Sequence, residues 1–148
     1  MIKPPVTKTI KIVDSNITNF QTSSLNYIFV PISSKAVMPQ GFANEISKKW
    51  MNVDLDLRTW KAYPRLFVSG KCRFKFVQTN AVIIFAYCLN DDGSIDEKAM
   101  ASCAKEAVKK IKGSSGCVNF SKSLEIPDLV NFVETNFLSS NITCYIFN

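Results

Sequence analysis

Ala81-Val82-Ile83-Ile84-Phe85-Ala86-Tyr87-Cys88-Leu89 is apolar at every position and runs straight into the turn cluster Asn90-Asp91-Asp92-Gly93. The run falls well short of the roughly 20 residues that a membrane-crossing helix needs. Its length and the turn signals at its end predict a strand, and a strand with no polar side has to be covered on both faces. Helical layers are the usual cover, so the chain reads as an α/β protein.

Working outward, Cys72-Arg73-Phe74-Lys75-Phe76-Val77 alternates and Thr79-Asn80 marks a turn, which predicts an antiparallel partner for the apolar strand. After the Asn90 cluster, Ser94 and Glu97 have the spacing of a capping box. Met100, Cys103, Ala104, Ala107, Val108 and Ile111 then recur at helical spacing, and Gly113 is the expected stop. Cys117-Val118-Asn119-Phe120 predicts a further strand. Pro127 and Asp128 open a helix carrying Leu129, Val130, Val133, Phe137 and Leu138, and residues 142–147 form a last strand.

Toward the N-terminus, residues 8–13 alternate like an outer strand and residues 27–32 form a short buried one. From Gly41, Phe42, Ile46 and Trp50 recur every fourth residue, with Lys48-Lys49 suited to the negative end of a helix dipole. Residues 52–70 read as an irregular segment with room for a short helix. The element order predicts one domain over residues 1–148, with a mixed, largely parallel sheet of about six strands and helices on both faces.

At 148 residues the chain is long enough to bury a core without staples. Its five cysteines contain no C-x-x-C pair, so they read as reduced core thiols, with neither a disulfide framework nor a structural metal expected. Histidine is absent, which removes the commonest general base near neutral pH and the imidazole ligands of most zinc sites. No cofactor is expected. Met1-Ile2-Lys3-Pro4-Pro5 leads into mixed polar residues rather than a secretory leader, so the expected location is the cytoplasm and the sequons at Asn16, Asn119 and Asn141 are chance matches. The net charge of +6 favours an anionic partner, a macromolecule included.

In such a sheet, ligands bind beyond the carboxyl ends of the strands. Two loops therefore matter, residues 31–42 and 119–127. In the first, Gly41 stands where a strand enters a helix whose free amides suit an anion, although a glycine is also an ordinary turn residue there.

The element order and the text of the first loop resemble the macro domain family of ADP-ribose-binding modules. Ser15-Asn16-Ile17-Thr18 stands where the family has a Gly-Asp-Ile-Thr-like motif, and Met38-Pro39-Gln40-Gly41-Phe42-Ala43 stands at its Met-Gly-x-Gly-x-Ala loop. Ile32-Ser33 is similar to the Ile-Ser pair of the branch that removes ADP-ribose from DNA and protein. The resemblance implies a three-layer fold and a cleft lined by Asn16, Ile17, Ser33, Gly41, Phe42, Ser121, Lys122 and Ser123. It departs from the family where Asn16 replaces the adenine-binding Asp, Val30 and Ser33 replace strand-end Asn residues, and Pro39 replaces the first loop glycine. No lysine stands near Cys88-Leu89 for the branch's nucleophile, and residues 119–125 contain no glycine.

The expected function is binding of ADP-ribose or a related nucleotide, with catalysis weak or lost. One alternative is an ADP-ribose hydrolase or ADP-ribose-phosphate phosphatase, in which Glu125 positions water or acts as base and Ser33 orients the substrate. The other is a basic interaction protein that reuses the scaffold and presents aromatics such as Trp60 and Tyr63. A small divergent version of a widespread fold would also suit a viral chain.

Overall fold

β4 (Ala81–Tyr87) is the strand around which the sheet is built: every side chain from Ala81 to Ala86 is fully buried. In the computed structural model, β2 (Asn26–Ile32) pairs with it in parallel, from Asn26↔Ala81 to Ile32↔Tyr87. β3 (Cys72–Gln78) pairs antiparallel on its other side, with a register shift between Phe76 and Gln78. The structure describes residues 10–14, 17–18, 20, 24–38, 40–112, 116–121, 129–137 and 142–147, without the side chains of residues 40–44.

With β1 (Ile10–Val13), β5 (Cys117–Ser121) and β6 (Thr143–Phe147), the sheet has the order β1-β6-β5-β2-β4-β3. Only the β3–β4 pair is antiparallel. The helices are α1 (Gln40–Lys49), α2 (Val53–Lys61), α3 (Glu97–Lys112) and α4 (Leu129–Asn136).

Strand alternation sorts them onto two faces. On β3, Arg73 reaches Asp56 of α2 while Phe74 lies under Lys110 of α3. Through the register, Ile28 and Val30 share the side of α1 and α2. Tyr27 and Phe29 share the opposite side, where Phe29 meets Phe132 of α4 and Phe137 just after it.

The order of elements along the chain, the largely parallel sheet, the turn at Thr79-Asn80 and the buried strands match the sequence expectation, and three local readings change. Residues 53–61 form a regular helix, so the short helix for which the 52–70 segment had room takes up half of it. Val53, Leu57 and Trp60 are buried, so Trp60 is a core residue, while Tyr63 is 57% exposed. The N-cap of α3 is Asp96, whose Oδ1 accepts the Ala99 amide at 3.1 Å. Ser94 is engaged elsewhere, with its hydroxyl on Asp92 and its carbonyl on the Asn90 amide. Lys8, Thr9, Gly113, Pro127, Asp128 and Leu138 lie outside the described residues.

Candidate functional site

The five parallel strands end on one edge of the sheet, at Val13, Ile32, Tyr87, Ser121 and Phe147. The loop leaving β2 is shaped by hydrogen bonds within itself. The Ser33 carbonyl accepts the Ala36 amide at 3.0 Å, and Ser33 Oγ accepts the Lys35 amide at 3.3 Å. Ala36 is held at φ +53°, a left-handed conformation that costs a non-glycine residue about 1–2 kcal/mol. The buried side chains of Ala36 and Met38 anchor the loop against that strain.

The loop leaving β4 is stitched to this one. The Cys88 and Leu89 amides both donate to the Ile32 carbonyl, at 3.1 and 3.0 Å, and the Ser34 hydroxyl donates to Asp91. Beyond Met38 the chain enters α1, whose first turn holds no acidic residue and whose last turn holds Lys48 and Lys49. The first amides of a helix lack partners within the helix and carry partial positive charge, so this end of α1 offers donors to an anion.

The segment after β1 is clamped across α1. Lys49 Nζ donates to the Thr18 carbonyl at 2.9 Å and lies over the rings of Phe20 and Trp50, at 4.9 and 5.3 Å. Trp50 Nε1 in turn donates to Gln78 Oε1 at 3.0 Å.

Of the residues predicted from sequence, Ser33 and Ser121 stand at the ends of the neighbouring strands β2 and β5, and Gly41 and Phe42 fall in the first turn of α1. These four converge on one edge. Ser33 is half-buried and Ser121 is buried at the strand end. Ile17 is 1% exposed and belongs to the core, so it can form a wall but offers no polar group. Asn16, Lys122, Ser123 and Glu125 lie outside the described residues.

Sequence reasoning missed two features. Asp91 was read only as a turn residue, yet it is the carboxylate bonded to the loop of Ser33 and Ser34. Asn119 was read as part of a strand, a chance sequon and the first residue of the 119–127 loop, without its buried partner. It is 1% exposed, its Nδ2 donates to Asn26 Oδ1 at 3.3 Å, and its own Oδ1 is buried with no hydrogen-bond partner among the described residues. Such an orphaned acceptor costs about 1–3 kcal/mol.

Cys117 Sγ donates to the same Asn26 oxygen at 3.2 Å, and Tyr145 stands opposite Asn119 in the β5–β6 register. Burial and the neighbouring Cys117 push the Tyr145 phenol above its ordinary range. An asparagine among apolar neighbours was the available signal for this buried polar row. Its partner is far away in sequence, so nothing local revealed the contact.

All five cysteines are free. The Cys72 thiol donates to the Cys103 carbonyl at 3.4 Å and the Cys103 thiol lies within reach of the Lys71 and Tyr87 carbonyls, at 3.5 and 3.6 Å; the contact with Cys103, together with burial, pushes the Cys72 and Cys88 thiols above their ordinary range. Among the described residues no cluster of His, Cys, Asp or Glu is arranged to hold a metal ion, and no helix is long and apolar enough to cross a membrane.

The backbone superposes on solved structures. A macrodomain protein from Streptomyces coelicolor matches with a TM-score of 0.85 at 12% identity, over 95% of this chain and 99% of that one. The macrodomain of Mycobacterium tuberculosis DarG matches with a TM-score of 0.70 at 11% identity, over 95% and 97%. This is a macrodomain fold. The Thermus aquaticus DarG macrodomain gives 0.69 at 8% identity, over 95% and 99%. Comparison of the sequence with protein-family models and with curated proteins finds no match. The macrodomain likeness is thus one of backbone, read across identities too low to carry side-chain roles over.

Proposed function

We propose that this macrodomain binds ADP-ribose or a closely related nucleotide at the carboxyl edge of its sheet, and that it binds rather than turns over its ligand. The observation that carries the reading is the macrodomain backbone over 95% of the chain. In that frame the Ser33–Met38 loop runs into a helix whose first turn is free of acidic residues. The diphosphate would lie against the first amides of α1, with Gly41 allowing close approach and Ser33 and Ser121 donating from the strand ends. The absence of histidine and of a lysine at the end of β4 argues for binding over turnover.

Isothermal titration with ADP-ribose at moderate salt tests the proposal. Micromolar affinity that Gly41→Glu abolishes would support it, because that substitution puts a carboxylate where the diphosphate would sit. No detectable heat at several temperatures would sink it.

The hydrolase reading keeps one observation in its favour. Asp91 holds Ser34 beside Ser33, so a carboxylate stands at this edge independently of Glu125. Release of free ADP-ribose from a modified protein or oligonucleotide, lost in Asp91→Asn with binding retained, would favour the enzyme.

A further inference from the structure

α2 is apolar on two sides. Val53, Leu57 and Trp60 face the core, while Leu55 is 54% exposed on the opposite side. The chain keeps turning beyond the helix: the Tyr63 amide bonds the Trp60 carbonyl, and the Leu66 and Phe67 amides both bond the Tyr63 carbonyl. Phe67 pins this segment down, edge-on to Trp60 at 4.9 Å and stacked on Tyr87 at 4.6 Å. Tyr63, Leu66 and Val68 are therefore held outward on an anchored backbone, 57%, 60% and 44% exposed. The other exposed large hydrophobics (Ile12, Val37, Met51, Phe76 and Val130) stand singly on separate segments, as is normal for a surface, whereas Tyr63, Leu66 and Val68 follow one another along a single hydrogen-bonded turn after α2.

C-terminal to Asp56, which is held by Arg73 and Lys75, the charge along this stretch has one sign. From residue 57 to residue 71 the chain carries Arg58, Lys61, Arg65 and Lys71, all exposed, and no acidic residue. The ion pairs found among the described residues are spent on Asp56, by Arg73 at 3.0 Å and Lys75 at 3.9 Å, and involve none of these four cations. An apolar surface flanked by unpaired cations is complementary to an apolar stripe flanked by carboxylates.

We propose that the outer side of α2 and the residue 62–71 segment form a docking surface for an acidic amphipathic helix of a partner protein. A second copy of this chain fits poorly, because an isologous contact would set Arg58, Lys61 and Arg65 against their own equivalents. Single-stranded nucleic acid would find one exposed aromatic, Tyr63, where successive bases need stacking platforms. An anionic bilayer would press on exposed Asp54, whereas a single helix can lie along Leu55 while Asp54 stays turned toward α1, where its Oδ2 accepts the Ser47 hydroxyl at 3.2 Å.

The test titrates the full chain with a fluorescent helical peptide bearing leucines at i, i+3, i+4 and i+7 with glutamates on both flanks. A second peptide has the same composition and scrambled spacing. The expected result is saturable binding, at least tenfold weaker for the scrambled peptide and for Leu55→Ser/Leu66→Ser, with hydrogen-exchange protection confined to residues 53–68. Both substituted side chains are exposed, so the melting temperature and ADP-ribose titration of the double variant should match those of the parent, which separates failure of the surface from failure of the cleft. Equal binding of the two peptides, or none, would overturn the proposal. So would phosphatidylserine vesicles, an oligonucleotide or self-association using Leu55 and Leu66 in preference to the peptide.

Discussion

The same two strands, β2 and β5, present very different faces. Toward α4 they contribute Phe29 and Phe120 to a packed aromatic layer with Phe132 and Phe137, with centroids 5.4 Å apart for Phe29–Phe120 and 5.2 Å for Phe120–Phe137. Toward α1 they contribute Asn26, Cys117 and Asn119, a buried polar row that ends in an acceptor without a partner. The aromatic face is what packing alone would select. The polar face gives up stability, and it is the face that leads up to Ser121 and the first turn of α1. Where a protein tolerates that loss, a role other than holding the fold is the first place to look.

The contrast can be tested by substitution, beginning with the largest expected effect. Phe120→Ala should lower stability by about 3–5 kcal/mol, read as a fall in the urea midpoint, because the ring leaves a cavity among three others. A loss under 1 kcal/mol would mean that the aromatic layer is loosely packed. Gly116→Ala should cost about 1–3 kcal/mol by overpacking, since its added carbon would lie 2.5 Å from the Tyr27 ring and 2.9 Å from the Leu25 carbonyl. Asp96→Ala should cost about 1 kcal/mol by uncapping α3, with Ser94→Ala close to neutral.

Asn119→Val should change stability by less than about 1 kcal/mol either way, because removing the orphaned acceptor offsets the lost bond to Asn26. If Asn119→Val instead cost as much as Phe120→Ala, the polar row would be structural. If it left stability alone and weakened ADP-ribose, the row would belong to the site.

Legibility in the sequence followed the range of the interactions. β4 could be read directly because its burial on both faces is written as an unbroken apolar run. α2 could not, because Leu55 on its outer side blurs the period set by Val53, Leu57 and Trp60. The cap of α3 was misassigned because Ser94 and Asp96 are both good capping residues. The Leu89–Ile95 bridge and the Asp92 contact draw Ser94 into the preceding turn. At the site, Ser33 and Gly41 could be placed from strand and helix order. Asp91 and Asn119 could not, since each takes its meaning from a partner dozens of residues away.

The position of β1 bears on how the molecule is made. Among the described residues β1 has a single neighbour in the sheet, β6, which separates it from the other strands. Ile10–Val13 thus finds its hydrogen-bonding partner only when Cys144–Phe147 has arrived, across nearly the whole chain. Of the six strands, the first to be synthesised is the one that must wait for the last. Contacts of such sequence separation close slowly, so a nascent chain can assemble β2, β4 and β3 while its earliest strand remains unpaired.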